Sequence, residues 1–246
     1  MVDIWKIPPS GLALTRREIH IWRADLDLTI VNVQKLYQTL STDERIRAKR
    51  FRFDLDRKRY IVRRGLVRTI LGTYIGVEPD RVQFCYGKHG KPVLTNTFCG
   101  ESIHFSVSHS EGLALFAFTR GCEIGVDVEC IRDIPKINQI AERFFSKREN
   151  AVFRTLPESK KKEAFFRCWT RKEAFIKAIG DGLSRPLEEF DVSLAPGETD
   201  KLLSIKKNSG QASLWSVQGL KAALGFAAAF AVEGRDWRLK CWQWSV

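Results

Sequence analysis

Three short runs of alternating side chains follow one another with almost no chain between them: Ile103 to Ser110, Leu113 to Thr119 and Glu123 to Glu129. The joints are Ser110-Glu111-Gly112 and Arg120-Gly121-Cys122. Period-two alternation broken by turns this tight predicts antiparallel strands, so the middle of the chain is committed to sheet. Helices are expected on both sides. Ser41-x-x-Glu44 has the form of a capping box, and Ile61, Val62, Leu66, Val67, Ile70 and Leu71 recur at helical spacing after it. Ser146-x-x-Glu149 opens a second helix that Pro157 ends, and Lys160 to Ile179 forms a third, closed by Gly180. Glu18 to Ile30 reads as an opening strand, Gly87 to Pro92 as a turn, and Leu187 to Val246 as mostly strand.

The order strand, helix, strands thus occurs roughly twice. A break near Arg120 divides the chain into halves of similar size, 1–120 and 121–246, and a cleft between them is a natural ligand site. With 246 residues, 44% hydrophobic and 28% charged, the composition is that of a folded domain and excludes disordered, collagen-like and coiled-coil chains. The longest apolar stretch, Ala222 to Val232, is too short to span a bilayer, and Met1 to Ser10 lacks a basic n-region, so no membrane or export signal is expected. Six cysteines without a C-x-x-C pair, together with four histidines, argue against a zinc cluster and for reduced thiols in a cytoplasm.

A formal net charge of +12 favours polyanionic partners: nucleic acid, a phosphorylated cofactor or an acidic protein. Much of it sits between Arg45 and Arg68, a block that includes Arg50 and Arg59 and reads as a solvated face, a nucleic-acid patch or a phosphate clamp.

Four features carry possible chemistry. In Gly125-Val126-Asp127-Val128-Glu129 the alternation puts both carboxylates on one face of a strand and both valines on the other. At about 7 Å and an effective dielectric of about 20 their repulsion is roughly 2 kcal/mol, trivial in solvent but enough to demand a cation if sheltered. A solvent-facing strand and a hard-cation site are the two readings. On the long helix, Glu173 lies between the Trp169 and Phe166 directions; pairing with Lys177 explains it on an exposed face, and a metal, phosphate or reacting proton explains it on a buried one. Ser108 and His109 are adjacent on a strand and point to opposite faces, which suits phosphate contact or a strand-end hydrogen bond better than a nucleophile pair. Glu149 is explained equally by its capping box and by metal ligation.

Together these segments resemble the 4′-phosphopantetheinyl transferases of the surfactin-synthetase (Sfp) type. The resemblance is carried by Gly90-Lys91-Pro92, Phe105-x-x-Ser108-His109-Ser110, Gly125-Val126-Asp127-Val128-Glu129, Arg143-Phe144-Phe145-Ser146-x-x-Glu149 and Trp169-x-x-Lys172-Glu173-Ala174-Phe175-x-Lys177-Ala178-x-Gly180. Ser106 departs from it, since the family often has Asn there.

The resemblance implies an α+β fold of two pseudo-symmetric halves with the active site in the cleft between them. It also implies a reaction, in which a serine of an apo acyl or peptidyl carrier protein attacks the β-phosphate of coenzyme A and releases adenosine 3′,5′-bisphosphate. Asp127 and Glu129 would hold Mg²⁺, or Mn²⁺, with Glu149 or Glu173 as third ligand. Glu173 would be the base and Lys177 a pyrophosphate contact. Lys91, Ser108 and His109 would bind cofactor phosphates, with Arg50 or Arg59 near the 3′-phosphate. A cytoplasmic monomer acting on acidic carrier proteins, with no nucleic-acid or membrane partner, is the expectation. The rivals are a non-catalytic nucleic-acid-binding module, which leaves Asp127, Glu129 and Glu173 unexplained, and a Mg²⁺-dependent phosphoesterase, which uses the same carboxylates with water as nucleophile.

Overall fold

The computed structural model describes residues 5–87, 90–95, 102–180, 185–195, 197–206 and 210–245. Lys88 and His89 of the expected turn lie outside them. The chain opens with β1 (Glu18–Asp25), α1 (Ile30–Gln38), α2 (Thr42–Lys49) and α3 (Asp54–Ile75). The hairpin β2 (Phe84–Tyr86) and β3 (Pro92–Leu94) follows, and then β4 (Ile103–Ser110) and β5 (Leu113–Arg120). The same order then repeats. After β6 (Ile124–Cys130) come α4 (Ile137–Phe144), α5 (Lys147–Thr155) and α6 (Glu158–Ile179), the hairpin β7 (Phe190–Val192) and β8 (Leu202–Ile205), then β9 (Trp215–Leu220) and β10 (Phe226–Glu233). A last strand, β11 (Arg238–Gln243), ends the fold.

Pairing repeats as well as order. In the first sheet β1 pairs antiparallel with β5 and β5 with β4; in the second, β6 pairs antiparallel with β10 and β10 with β9. Each half carries a 22-residue helix, α3 or α6, stopped by a left-handed glycine, Gly76 or Gly180. The halves also exchange chain, because β11 lies parallel to β1 in the first sheet. The result is an α+β protein of two similar halves.

Three local differences from the sequence reading have physical causes. The opening strand ends at Asp25, and Ile30 already begins α1. The basic block is two helices: α2 ends at Lys49, Phe53 is extended, and Asp54 and Asp56 restart a helix at the positive end of its dipole. Helix α4, preceded by a left-handed Lys136, carries no capping signal in the sequence.

There are three apolar cores, one within each half and one between them. Trp22 and Ala24 of β1 face α3 residues such as Val62 and Leu66, while Phe165, Phe175 and Ala229 build the equivalent core beneath α6. The third core lies between the sheets. There Ile19 and Ile21, on the opposite face of β1 from Trp22, meet Val126 and Val128 of β6 and Phe230 of β10, all fully or almost fully buried. Burying each such side chain contributes roughly 1.5–3 kcal/mol, so the two sheets form one packed unit.

Candidate active site

Strands β4 and β6 are the facing edges of the two sheets, and side chains join them. Ser106 Oγ accepts the Val126 N–H at 3.1 Å, and Ser110 Oγ accepts the Cys130 N–H at 3.0 Å. The offset of 20 residues is the same at both points, so the strands run side by side with hydroxyls in place of ladder carbonyls.

Helix α6 approaches β6 closely because residue 125 is glycine. A Cβ there would stand 2.0 Å from the Ala174 carbonyl oxygen and 2.4 Å from the Ala178 nitrogen. Backbone contact at Gly125 sets Glu173 and Lys177 of the helix over Asp127, two residues along the strand. Lys177 Nζ donates to Asp127 Oδ1 at 2.6 Å and to Ser108 Oγ at 2.9 Å, and Ser108 Oγ donates to Asp127 Oδ1 at 2.8 Å. Asp127 is only 3% exposed, and its Oδ2 is buried with no hydrogen-bond partner. Glu129, on the same face, accepts from Ser110 Oγ at 2.9 Å, with Arg132 3.8 Å away.

The carboxylates feel each other. Burial, then the charges of Asp127 and Glu129, push the Glu173 carboxyl above the ordinary glutamate value, with Lys177 opposing. Burial and Asp127 raise Glu129 as well, against the Ser110 hydrogen bond. Three carboxylates face one ammonium. Glu173 and Lys177 line a cavity of about 340 Å³ between β4 and α6, with Lys91, Phe105, Val107 and Ile176 among its other walls.

The remaining expected residues take varied places. Lys91 reaches this cavity but is held by Glu123 at 3.0 Å and the Ala178 carbonyl at 3.3 Å. His109 is exposed, and its Nε2 accepts an Arg63 N–H at 2.8 Å. Crowding of the ring by protein, then the Arg63 charge, hold the imidazole down at about 4, so it is neutral at physiological pH. Arg59 makes two hydrogen bonds of 2.7 Å to Asp27. Arg50 is exposed beside Arg47 and Phe51 in a separate cavity of about 660 Å³.

One expectation needs correction. Glu149 is not available as a metal ligand. It is 1% exposed, Lys172 Nζ stands 2.7 Å from its Oε1, and its oxygens also accept the N–H groups of Ser146 and Val192. Lys172 donates further to the Leu187 and Phe190 carbonyls, so its three N–H groups and the carboxylate are spent on the fold. The basic block is only partly neutralised: Arg64 and Arg68 pair with buried Glu44, Arg59 with Asp27, and Arg57 and Lys58 with Asp54, whereas Arg47, Lys49, Arg50 and Arg52 make no ion pair among the described residues.

The donor set suits a hard divalent cation such as Mg²⁺ or Mn²⁺: carboxylate oxygens alone, one of them orphaned and buried, around an excess of negative charge. Among the described residues no three carboxylate, imidazole or thiol side chains already close around one point. Lys177 stands at Asp127 instead, and a phosphate-bearing ligand would bring further oxygens.

The molecule is thus a duplicated α+β protein with a carboxylate cluster and a cavity at the seam of its two halves, the arrangement of a two-half enzyme with its site between the halves. Residues 123–231 match the model of the 4′-phosphopantetheinyl transferase superfamily, and residues 29–120 match that of the 4′-phosphopantetheinyl transferase N-terminal region. The 4′-phosphopantetheinyl transferase HetI of Nostoc sp. (strain PCC 7120) is 41% identical over 240 residues, 98% of each chain. The 4′-phosphopantetheinyl transferase Sfp of Bacillus subtilis (strain 168) is 30% identical over 65% of this chain and 69% of its own. Among solved structures, Thermotoga maritima holo-[acyl-carrier-protein] synthase aligns with 46% of this chain and 64% of its own at 25% identity, with a TM-score of 0.38. The chain belongs to the 4′-phosphopantetheinyl transferase superfamily, and it is an enzyme that transfers phosphopantetheine from coenzyme A to carrier proteins.

Proposed function

We propose that this transferase requires Mg²⁺, or Mn²⁺ in its place, and modifies a serine of an apo acyl or peptidyl carrier protein. The observation that carries the reading is the buried, unpartnered Asp127 Oδ2 inside a cluster whose negative charge Lys177 does not balance. Asp127, Glu129 and Glu173 are the residues to hold the metal. When bound, the metal supplies charge neutralisation for the pyrophosphate that is being split.

The chain's own groups do the rest. Glu173 faces the cavity with a carboxylate more basic than an ordinary glutamate, and it takes the proton of the carrier serine directly or through a water. The serine oxygen then bonds to the β-phosphorus of coenzyme A as the bond to the bridging oxygen breaks, and adenosine 3′,5′-bisphosphate leaves. Lys177 exchanges Asp127 for the pyrophosphate as a mobile point charge. Lys91 at the cavity wall and Ser108 add contacts to the cofactor's phosphates, and neutral His109 contributes a hydrogen bond rather than a charge. Arg50, which makes no ion pair among the described residues and is open to solvent in a cavity it shares with Arg47 and Asp43, suits the 3′-phosphate better than Arg59, which Asp27 already occupies.

The same reading makes the enzyme a cytoplasmic monomer. Its formal charge of +12 would attract acidic carriers, and no helix among the described residues is long and apolar enough to cross a membrane. The test is the intact mass of an apo carrier protein incubated with the enzyme, coenzyme A and Mg²⁺. A gain of one phosphopantetheinyl group that EDTA abolishes and excess Mg²⁺ restores is expected. Transfer that persists in EDTA would remove the metal from the mechanism, and hydrolysis of coenzyme A without a carrier would favour the phosphoesterase.

A further inference from the structure

Three serines alternate along β4, at 106, 108 and 110, and all three turn towards β6. They do different work. Ser106 binds only backbone on β6, whereas Ser110 binds backbone and carboxylate together: its oxygen accepts the Cys130 N–H at 3.0 Å while its proton goes to Glu129 Oε2 at 2.9 Å. A hydroxyl has one proton, so the two contacts fix its rotor and leave the donor aimed at Glu129. Glu129 needs such a partner. Its carboxyl is half-buried, its nearest cation is Arg132 at 3.8 Å, and its neighbour on the same face is the like-charged Asp127. Without the hydroxyl, only the exposed Arg132 at 3.8 Å, among the described residues, would oppose rotation of Glu129 away from Asp127 into solvent.

We infer that Ser110 is a positioning residue that, from the other half of the molecule, holds Glu129 in the orientation that completes the divalent-cation site. The inference rests on the metal reading given above and adds to it the group that presents the ligand. Outer partners of metal-binding carboxylates typically set affinity by about 10- to 100-fold. Loss of one neutral hydroxyl belongs at the lower end.

The test measures binding and needs no turnover. Mn²⁺ is titrated into the enzyme with coenzyme A present and carrier absent, and free Mn²⁺ is read by electron paramagnetic resonance. Ser110→Ala is expected to weaken Mn²⁺ binding by about tenfold, and Ser110→Thr, which keeps a hydroxyl on a strand-favouring residue, to restore it within about threefold. Val62→Ala, a cavity variant in the core of the first half, controls for a general loss of stability and is expected to leave Mn²⁺ affinity within twofold. Ser110→Ala with unchanged Mn²⁺ affinity, whatever its effect on unfolding, would overturn the inference and leave the metal site standing. A wild-type enzyme that takes up no Mn²⁺ would overturn both.

Discussion

Replacing Gly125 by alanine tests the physical origin of the site. Gly125 is not among the glycines with positive φ, so alanine suits its backbone, and by lowering the entropy of the unfolded chain the change would stabilise by about 0.4–1 kcal/mol if space allowed. Space does not allow it. The new Cβ would stand 2.0 Å from the Ala174 carbonyl oxygen, against the 3.4 Å at which ordinary contact begins, so helix and strand must part by about 1.4 Å. Both obstructing groups are backbone of α6 and cannot rotate aside. Lys177 lies between Ala174 and the end of that helix and moves with it. Its 2.6 Å contact with Asp127 then stretches out of hydrogen-bonding reach, and Glu173 withdraws with it. Overpacking of this kind costs about 1–3 kcal/mol, and a catalytic group misplaced by about 1 Å costs about 10²-fold in rate. At roughly 2–4 °C per kcal/mol for a chain of this size, the unfolding midpoint falls by about 5 °C. Initial rates of carrier modification by intact mass, with thermal unfolding on the same samples, measure both. A variant with activity within twofold of wild type would show that the approach of α6 to β6 does not set the geometry of the site.

Further outcomes follow from the same contacts. Lys177→Ala should weaken coenzyme A binding, read by calorimetry, more than it lowers turnover at saturating cofactor; an unchanged dissociation constant would leave Lys177 only its pairing with Asp127. Glu173→Gln should lower turnover at saturating coenzyme A while raising stability in EDTA at pH 7–8. Its folded value is raised above 4.5, so the folded state holds its proton more tightly than the unfolded chain. Stability is therefore lost as pH climbs from 4.5 through the folded value, glutamine removes that loss, and the gap between variant and wild type should close at acid pH. Lys172→Met strands a buried carboxylate and should cost about 3–5 kcal/mol in urea unfolding; Arg68→Met should cost less, because Glu44 keeps Arg64.

The sequence revealed what depends on period and spacing. Alternation in Gly125 to Glu129 put Asp127 and Glu129 on one face and buried Val126 and Val128 on the other, as found, and the capping boxes at Ser41 and Ser146 both form. Partners distant in the chain were not legible. Nothing local announces that Glu44 collects Arg64 and Arg68, 20 and 24 residues away, or that Lys172, beside Glu173 on the helix, turns inward to Glu149 while Glu173 faces the cavity. Adjacent positions on a helix lie about 100° apart, so one motif can serve core and site at once. The serine seam was hidden for another reason: at strand-facing positions serine looks like ordinary polar alternation until the second sheet is placed beside it. The Lys91 tether to Glu123, and the Arg63 contact that crowds His109, likewise exist only once the chain has folded. Gly125, a glycine ahead of an alternating run, was the one local sign of close backbone approach.

The repeat itself separates framework from chemistry. In each half the third helical residue after a capping serine is a buried glutamate, Glu44 or Glu149, and in each it pairs with a buried cation on the 22-residue helix, Arg68 or Lys172. In each, that cation also donates to carbonyls of the segment after its helix: Pro79, Asp80 and Val82 in the first half, Leu187 and Phe190 in the second. A device that recurs in the first half, where no carboxylate cluster accompanies it among the described residues, is explained by the fold, and this is the strongest reason to withdraw Glu149 from the metal. What does not recur is the face of α6 that carries Glu173 and Lys177. Counting back from the terminal glycines, the matching positions of α3 are Thr69 and Thr73, whose hydroxyls bond only to carbonyls of their own helix. Among the described residues the charged cluster therefore occurs on the second half alone, and the first half serves it by supplying the opposing edge: Ser108 and Ser110 on β4 for its carboxylates, and Lys91 at the wall of the cavity.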